Sequence, residues 1–93
     1  MVYAYEIKPH LQRILNKLSK KDKSFYERVM DKIEEVSNSA DVEHYKNLRQ
    51  DLKDFKRVQV GEKVLVFKFD KTNKIIVFED FDHHDKIYRK RFG

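Results

Sequence analysis

The residues best suited to chemistry lie near the end of the chain, where Asp82-His83-His84-Asp85-Lys86-Ile87-Tyr88-Arg89-Lys90-Arg91 sets two histidines among carboxylates, cations and a phenol. Histidine titrates near neutrality, so it can move a proton to or from the 2′- or 5′-oxygen of a ribose. Arg57, Lys56, Arg89 and Arg91 could stabilise the extra negative charge of a phosphorane-like transition state. Tyr88 could stack on a base or donate a hydrogen bond. A metal site is the competing chemistry. Neighbours on an extended chain point to opposite faces, however, so His83 and His84 are badly placed to share one ion. His10 and His44 stand isolated along the sequence, and there is no cysteine. No metal and no other cofactor is expected. A plainer alternative stays open, in which both histidines are exposed turn residues while Ile87, Tyr88 and Phe92 dock the tail onto a sheet.

The chain of 93 residues is long enough for a single core and too short for two. Without cysteine, burial and hydrogen bonding must hold it together. No apolar run approaches the roughly 20 residues of a membrane span, and the first residues lack the pattern of a signal peptide. A cytoplasmic protein with no membrane association is expected. Charged residues make up 40% of the sequence and leave a net charge of +5. The excess is uneven: residues 47–93 hold twelve Lys and Arg against eight Asp and Glu, whereas residues 1–46 hold nine against eight. That balance suits a polyanion or an acidic partner, or simply a solvated surface.

These side chains need a frame, and the spacing of apolar residues supplies one. Val2 to Lys8 is rich in β-branched and aromatic residues and reads as a strand ended by Pro9. Leu11, Ile14, Leu15 and Leu18 recur at helical spacing, with Pro9 fitting the first turn. Ser19 to Asp22 is the expected break. Asp22 or Ser24 would cap a second helix with Phe25, Val29, Ile33 and Val36 on one stripe. From Phe55 the period becomes two. Val58 and Val60 alternate with Arg57 and Gln59, Gly61-Glu62 makes a tight turn, and strands follow at Val64 to Phe69 and Ile75 to Phe81. The last two are apolar on both faces and should be central. The predicted fold is α+β in the order β-α-α-β-β-β: an antiparallel meander sheet packed against a helical hairpin, with a short basic C-terminal tail. The two helices do not read as a DNA-binding helix-turn-helix, because the exposed face of the second, with Glu27, Arg28, Asp31, Lys32, Glu34 and Glu35, is net acidic.

Taken in order, Lys46-x-Leu48-Arg49, Phe55-Lys56-Arg57-Val58-Gln59-Val60-Gly61-Glu62, Val64-Leu65-Val66-Phe67 and His83-His84-Asp85-Lys86-Ile87-Tyr88-Arg89 resemble the RelE/ParE superfamily of toxins from toxin–antitoxin systems. That family joins a K-x-L segment, a Y-R-I-R-V-G-D-Y-R-V-I-Y hairpin and a terminal H-R-x-x-V-Y-R. The resemblance covers the whole chain, as one domain over residues 1–93. It implies a ribosome-dependent, metal-independent endoribonuclease that cleaves messenger RNA and represses translation, with a cognate antitoxin as partner and no specific DNA binding of its own. By position, His83, His84, Tyr88 and Arg57 would form the catalytic set, and Lys46, Arg49, Lys56, Lys63, Arg89 and Arg91 would hold RNA. Lys63 is expected to point to the other face of its strand. Three positions depart from the pattern: Gln59 and Val64 stand where cations are usual, and His84 replaces the arginine after the histidine. Two alternatives follow from the departures, a ParE-like non-catalytic gyrase inhibitor and a catalytically impaired relative that acts by binding protein.

Overall fold

Two amphipathic helices and four strands form a two-layer structure, seen in a computed structural model that describes residues 3–39, 42–48 and 54–89. Strand β1 (Ala4–Ile7) leads into helix α1 (Pro9–Lys21) and then helix α2 (Lys23–Ser37). A short 3-10 turn at Val42–His44 precedes strands β2 (Lys56–Val60), β3 (Lys63–Asp70) and β4 (Ile75–His83), and a single helical turn, α3 (His84–Ile87), follows directly. The predicted α+β architecture and element order are present. Helix α1 runs further than the expected break, and one residue, Asp22, separates it from α2. Asp22 leaves helical geometry at φ −150°, and its carboxylate accepts a hydrogen bond from the Phe25 amide at 3.2 Å. That satisfies one orphan donor at the start of α2.

The sheet order is β1-β4-β3-β2. Strands β2, β3 and β4 form the expected antiparallel meander, but β1 lies parallel to β4, so the sheet is mixed. A parallel neighbour needs a crossover connection, and the helices fill most of the stretch between β1 and the meander. Gly61, at φ +62°, opens the turn between β2 and β3, and a Cβ there would stand 3.1 Å from the Phe25 ring of α2. The turn therefore favours glycine twice over, by backbone angle and by the closeness of the helix.

Strand β3 is covered on both faces, as its unbroken apolar run predicts. On one side Leu65 and Phe67 join Val60, Ile76, Phe78 and Phe81 of the sheet and Leu11, Leu15, Val29, Ile33 and Val36 of the helices. On the other, Val64 and Val66 join Leu48 and Ile87, with Phe55 and Tyr88 packed at the margin. Between Val66 and Phe67 the register with β4 slips: Val66 pairs with Asp80 and Phe67 with Phe78, leaving Glu79 as an extra residue in a β-bulge. Phe78 and Phe81, an odd number of residues apart, can then both face the helices.

Leu15 is 1% exposed at the centre of the helix stripe. Leu15→Ala is expected to cost about 2–5 kcal/mol of folding stability in urea titration, as large-to-alanine changes in packed cores do.

Candidate functional site

The face of the sheet turned away from the helices gathers Lys46, Arg57, His84 and Tyr88, four of the eight described residues singled out by sequence. A bridge between Asn47 and Lys56 extends the sheet past β2, with the Arg57 amide donating to the Lys46 carbonyl at 2.9 Å and the Leu48 amide to the Phe55 carbonyl at 2.8 Å. Leu48 and Phe55 belong to the second cluster, so strand alternation puts Lys46 and Arg57 on that face too. Arg57 is opposite Val66. Its Nε atom is buried without a hydrogen-bond partner, and among the described residues no carboxylate lies within ion-pair reach of its guanidinium. Buried polar groups are normally satisfied. An unpaired cation set into a sheet face is a ready receiver for an anion.

Helix α3 brings the tail back over this face. Ile87 is fully buried in the second cluster and Tyr88 packs against it. The His84 ring meets the Tyr88 ring edge-on at 4.9 Å, and the Tyr88 amide approaches the His84 carbonyl at 3.4 Å. His84 is exposed and Tyr88 half-buried. His83 differs. It is the last residue of β4, opposite Lys63, and the Lys63 ammonium lies 5.7 Å from the centre of the Phe81 ring, on the helix side. Directly opposed residues share a face, which sets His83 and Lys63 apart from Arg57. Arg89 is exposed in the turn after α3. Arg49 and Arg91 fall outside the described residues.

Lys56 has other partners. Its ammonium donates to the Asn47 side-chain oxygen at 2.7 Å and to the carbonyls of Tyr45 at 3.2 Å and Glu43 at 3.3 Å. It clamps the segment that carries Lys46 and Leu48. The departures at Gln59 and Val64 also have local causes. The Gln59 amide donates to the Gly61 carbonyl at 2.9 Å, bracing the turn. Val64 is 4% exposed within the second cluster, where a charge would be buried among Leu48, Val66 and Ile87.

Two features escaped sequence reasoning. Lys68 follows Val64 and Val66 on the same face, its ammonium 5.7 Å from the centre of the Phe55 ring; period-two counting along β3 reaches it. His10, read as isolated, lies with Nε2 3.2 Å from a carboxylate oxygen of Asp80, whose side chain is 1% exposed. That pair ties the start of α1 to the bulge in β4 and joins residues 70 positions apart, which no local pattern could reveal. Burial pushes the Glu79 carboxyl above the usual glutamate range, against the pull of Lys8 and Lys68. Burial likewise raises the Tyr45 phenol, with Glu35 adding to it. Among the described residues no group of three histidines, cysteines or carboxylates could hold a metal, and no helix is long and apolar enough to cross a membrane.

No protein-family model matches the chain. Over 91 residues it is 50% identical to "Putative toxin RelE4" of Methanocaldococcus jannaschii, covering 97% of this chain and 95% of that protein. Its fold matches a chain of the Mycobacterium tuberculosis toxin–antitoxin complex RelBE2 with a TM-score of 0.75 at 20% identity, over 90% of this chain and 93% of the other. It also matches a substituted Escherichia coli toxin RelE in the free state, with a TM-score of 0.73 at 16% identity, over 96% and 93% of the two chains.

Two outcomes follow from this geometry. Lys56→Met is expected to lower folding stability by about 0.5–1.5 kcal/mol in urea titration, since it removes a charged donor shared by three oxygens, of which the Tyr45 carbonyl is the one partly shielded from water. Burial favours the protonated form of Glu79 more in the folded chain than in the unfolded one, so its contribution to stability is complete below the unfolded value of 4.5 and is lost as pH rises through the higher folded value. Glu79→Gln is therefore expected to raise Tm at pH 7, with the gain over the parent chain closing below about pH 4.

Proposed function

The chain belongs to the RelE toxin family, and from that premise we propose that it is a ribosome-dependent endoribonuclease that cleaves messenger RNA in the cytoplasm and is neutralised by a cognate antitoxin. The observation that carries this reading is the Arg57 guanidinium, half-buried and unpaired among the described residues, on the face where His84 and Tyr88 meet.

In the proposed reaction the ribose 2′-oxygen attacks the adjacent phosphorus. The new 2′-O–P bond replaces the P–O5′ bond, leaving a 2′,3′-cyclic phosphate and a free 5′-hydroxyl. One proton leaves the 2′-hydroxyl and one arrives at the 5′-oxygen. His84 is the proton carrier in this scheme, preferred to His83 because its ring stands beside Tyr88 while His83 is opposite Lys63. Tyr88 orients the imidazole or stacks on a base. Arg57 faces the phosphorane charge, where one well-placed donor is worth about 100-fold or more in rate. Lys46 and Lys68 flank Arg57 on its face and hold neighbouring phosphates, with Arg89 of the turn after α3 adding to them; Arg49 and Arg91, outside the described residues, remain RNA-binding candidates by sequence alone. Lys56 and Lys63 serve the fold rather than the RNA.

A second reading, a gyrase inhibitor of the ParE kind, draws on Val64. With an apolar residue buried at that position, the face carries one cation fewer than the family pattern, and a binder needs no phosphate clamp.

Induced expression followed by mapping of messenger ends separates the two. His84→Ala, Tyr88→Phe and Arg57→Gln are each expected to reduce cleavage, Arg57→Gln by about 100-fold, whereas His83→Ala has the smaller effect. Arg57→Gln is also expected to leave Tm unchanged or higher, because it removes an unpaired buried group. Undiminished cleavage in all four variants sinks the assignment of the site. Intact messenger with accumulating DNA breaks favours the gyrase reading.

A further inference from the structure

Helix α1 has charges that the sheet-face chemistry does not use. No carboxylate occurs from Ile7 to Lys21, whereas Lys8, Arg13, Lys17, Lys20 and Lys21 all fall in that span. At about 3.6 residues per turn the helix divides into three sectors. Leu11, Ile14, Leu15 and Leu18 enter the core. Gln12, Asn16 and Ser19 make a neutral polar sector, knitted by the Gln12 amide on the Asn16 side chain at 3.1 Å and the Ser19 hydroxyl on the Asn16 carbonyl at 2.7 Å. Arg13, Lys17, Lys20 and Lys21 share the remaining arc of about 100°, and all four are exposed.

None of the four joins an ion pair among the described residues, and the one intrahelical pair of the neighbouring α2 is Lys32 with Glu35. The helix dipole accounts for Lys20 and Lys21 in the last turn. It gives no reason for Arg13 and Lys17, which lie further toward the N-terminus. Exposed like charges at such spacing repel one another slightly, so a partner of opposite sign stabilises the arrangement.

We propose that this sector of α1 is a second RNA-contacting surface, gripping the phosphate backbone of a structured RNA without reading its sequence. It lies on the helix layer, across the sheet from Arg57, Tyr88 and the second cluster. One short strand therefore does not serve both faces; the α1 surface holds a separate RNA element. The apolar stripe of α1 is already spent on the core, so the helix has nothing to insert into a membrane. The cationic sector offers no aromatic or aliphatic anchor of the kind that dominates protein interfaces. What remains is charge at intervals of about 6 Å along the helix, which suits phosphates. The preference for RNA over DNA rests on the ribonuclease reading; the polyanion contact does not.

The test uses the full chain and a labelled RNA hairpin fully 2′-O-methylated, which has no 2′-hydroxyl to react. Anisotropy is recorded across a potassium chloride series. In Arg13→Gln/Lys17→Gln/Lys21→Gln, with helix content unchanged by circular dichroism, affinity at low salt is expected to fall about tenfold or more. The slope of log affinity against log salt should shrink by about 2–3, from roughly 0.7–0.9 per cation lost. Lys71→Gln/Lys74→Gln, which removes exposed cations from the turn between β3 and β4, should keep affinity within about twofold, and because the hairpin cannot be cleaved the readout does not depend on nuclease activity. An unchanged slope in the triple variant overturns the proposal. So does displacement of the hairpin by polyglutamate at equal charge, which assigns the surface to an acidic protein, or tenfold tighter binding to a DNA hairpin of the same sequence.

Discussion

The bulge at Glu79 is the constraint on which the two faces of this sheet depend. Before it, Ile76 and Phe78 of β4 face the helices; after it, Phe81 does. Simple alternation would have turned Asp82 into the core and Phe81 out of it. One extra residue inverts the phase, so the apolar set stays under α1 and α2 to the end of the strand. The inversion reaches the tail as well. It sets His83 opposite Lys63, on the helix side, and hands the chain to α3 with His84 as the first residue able to meet Tyr88 on the far face. The bulge is held in place by packing on both sides of it and by His10, which reaches the buried Asp80 carboxylate from the first turn of α1.

Most of the fold was written in local patterns. The stripes Leu11-Ile14-Leu15-Leu18 and Phe25-Val29-Ile33-Val36, the glycine turn and the two doubly apolar strands each follow from spacing within a dozen residues, and each is present. What could not be read from spacing is long-range. The parallel seat of β1 beside β4 joins residues about 71 positions apart, and the bulge shows itself only once Val66 and Phe67 are paired with particular partners. The candidate site divides the same way. Arg57, Tyr88 and the histidine pair were identifiable by type. Which histidine stands with the tyrosine was not, because that choice is made by the phase of the strand before it.

Val64 illustrates how packing and chemistry compete for one position. A cation there would enrich the open face, but it would have to be buried beside Leu48, Val66 and Ile87, where an unpaired charge is costly. This chain uses the position as apolar floor, and that floor is what seats Ile87 and therefore Tyr88. The cations move outward along the same face to Lys68 and Lys46, where solvent reduces the cost of charge. The loss at one position and the gain in tail anchoring are two consequences of a single valine.

Lys56 and Arg57 make the limit of charge counting explicit. They are adjacent, both cationic, and equal in any composition. Strand alternation sends them to opposite faces. On one side Lys56 finds an amide oxygen and two carbonyls and becomes part of the frame. On the other, Arg57 has a buried Nε with no partner, a cost that a purely structural residue would have no reason to bear. Burial without satisfaction is the physical mark that distinguishes a poised group from a clamping one. It becomes visible only when the acceptors around each cation are known, and it separates the two residues more sharply than their charge, their spacing or their place in a motif.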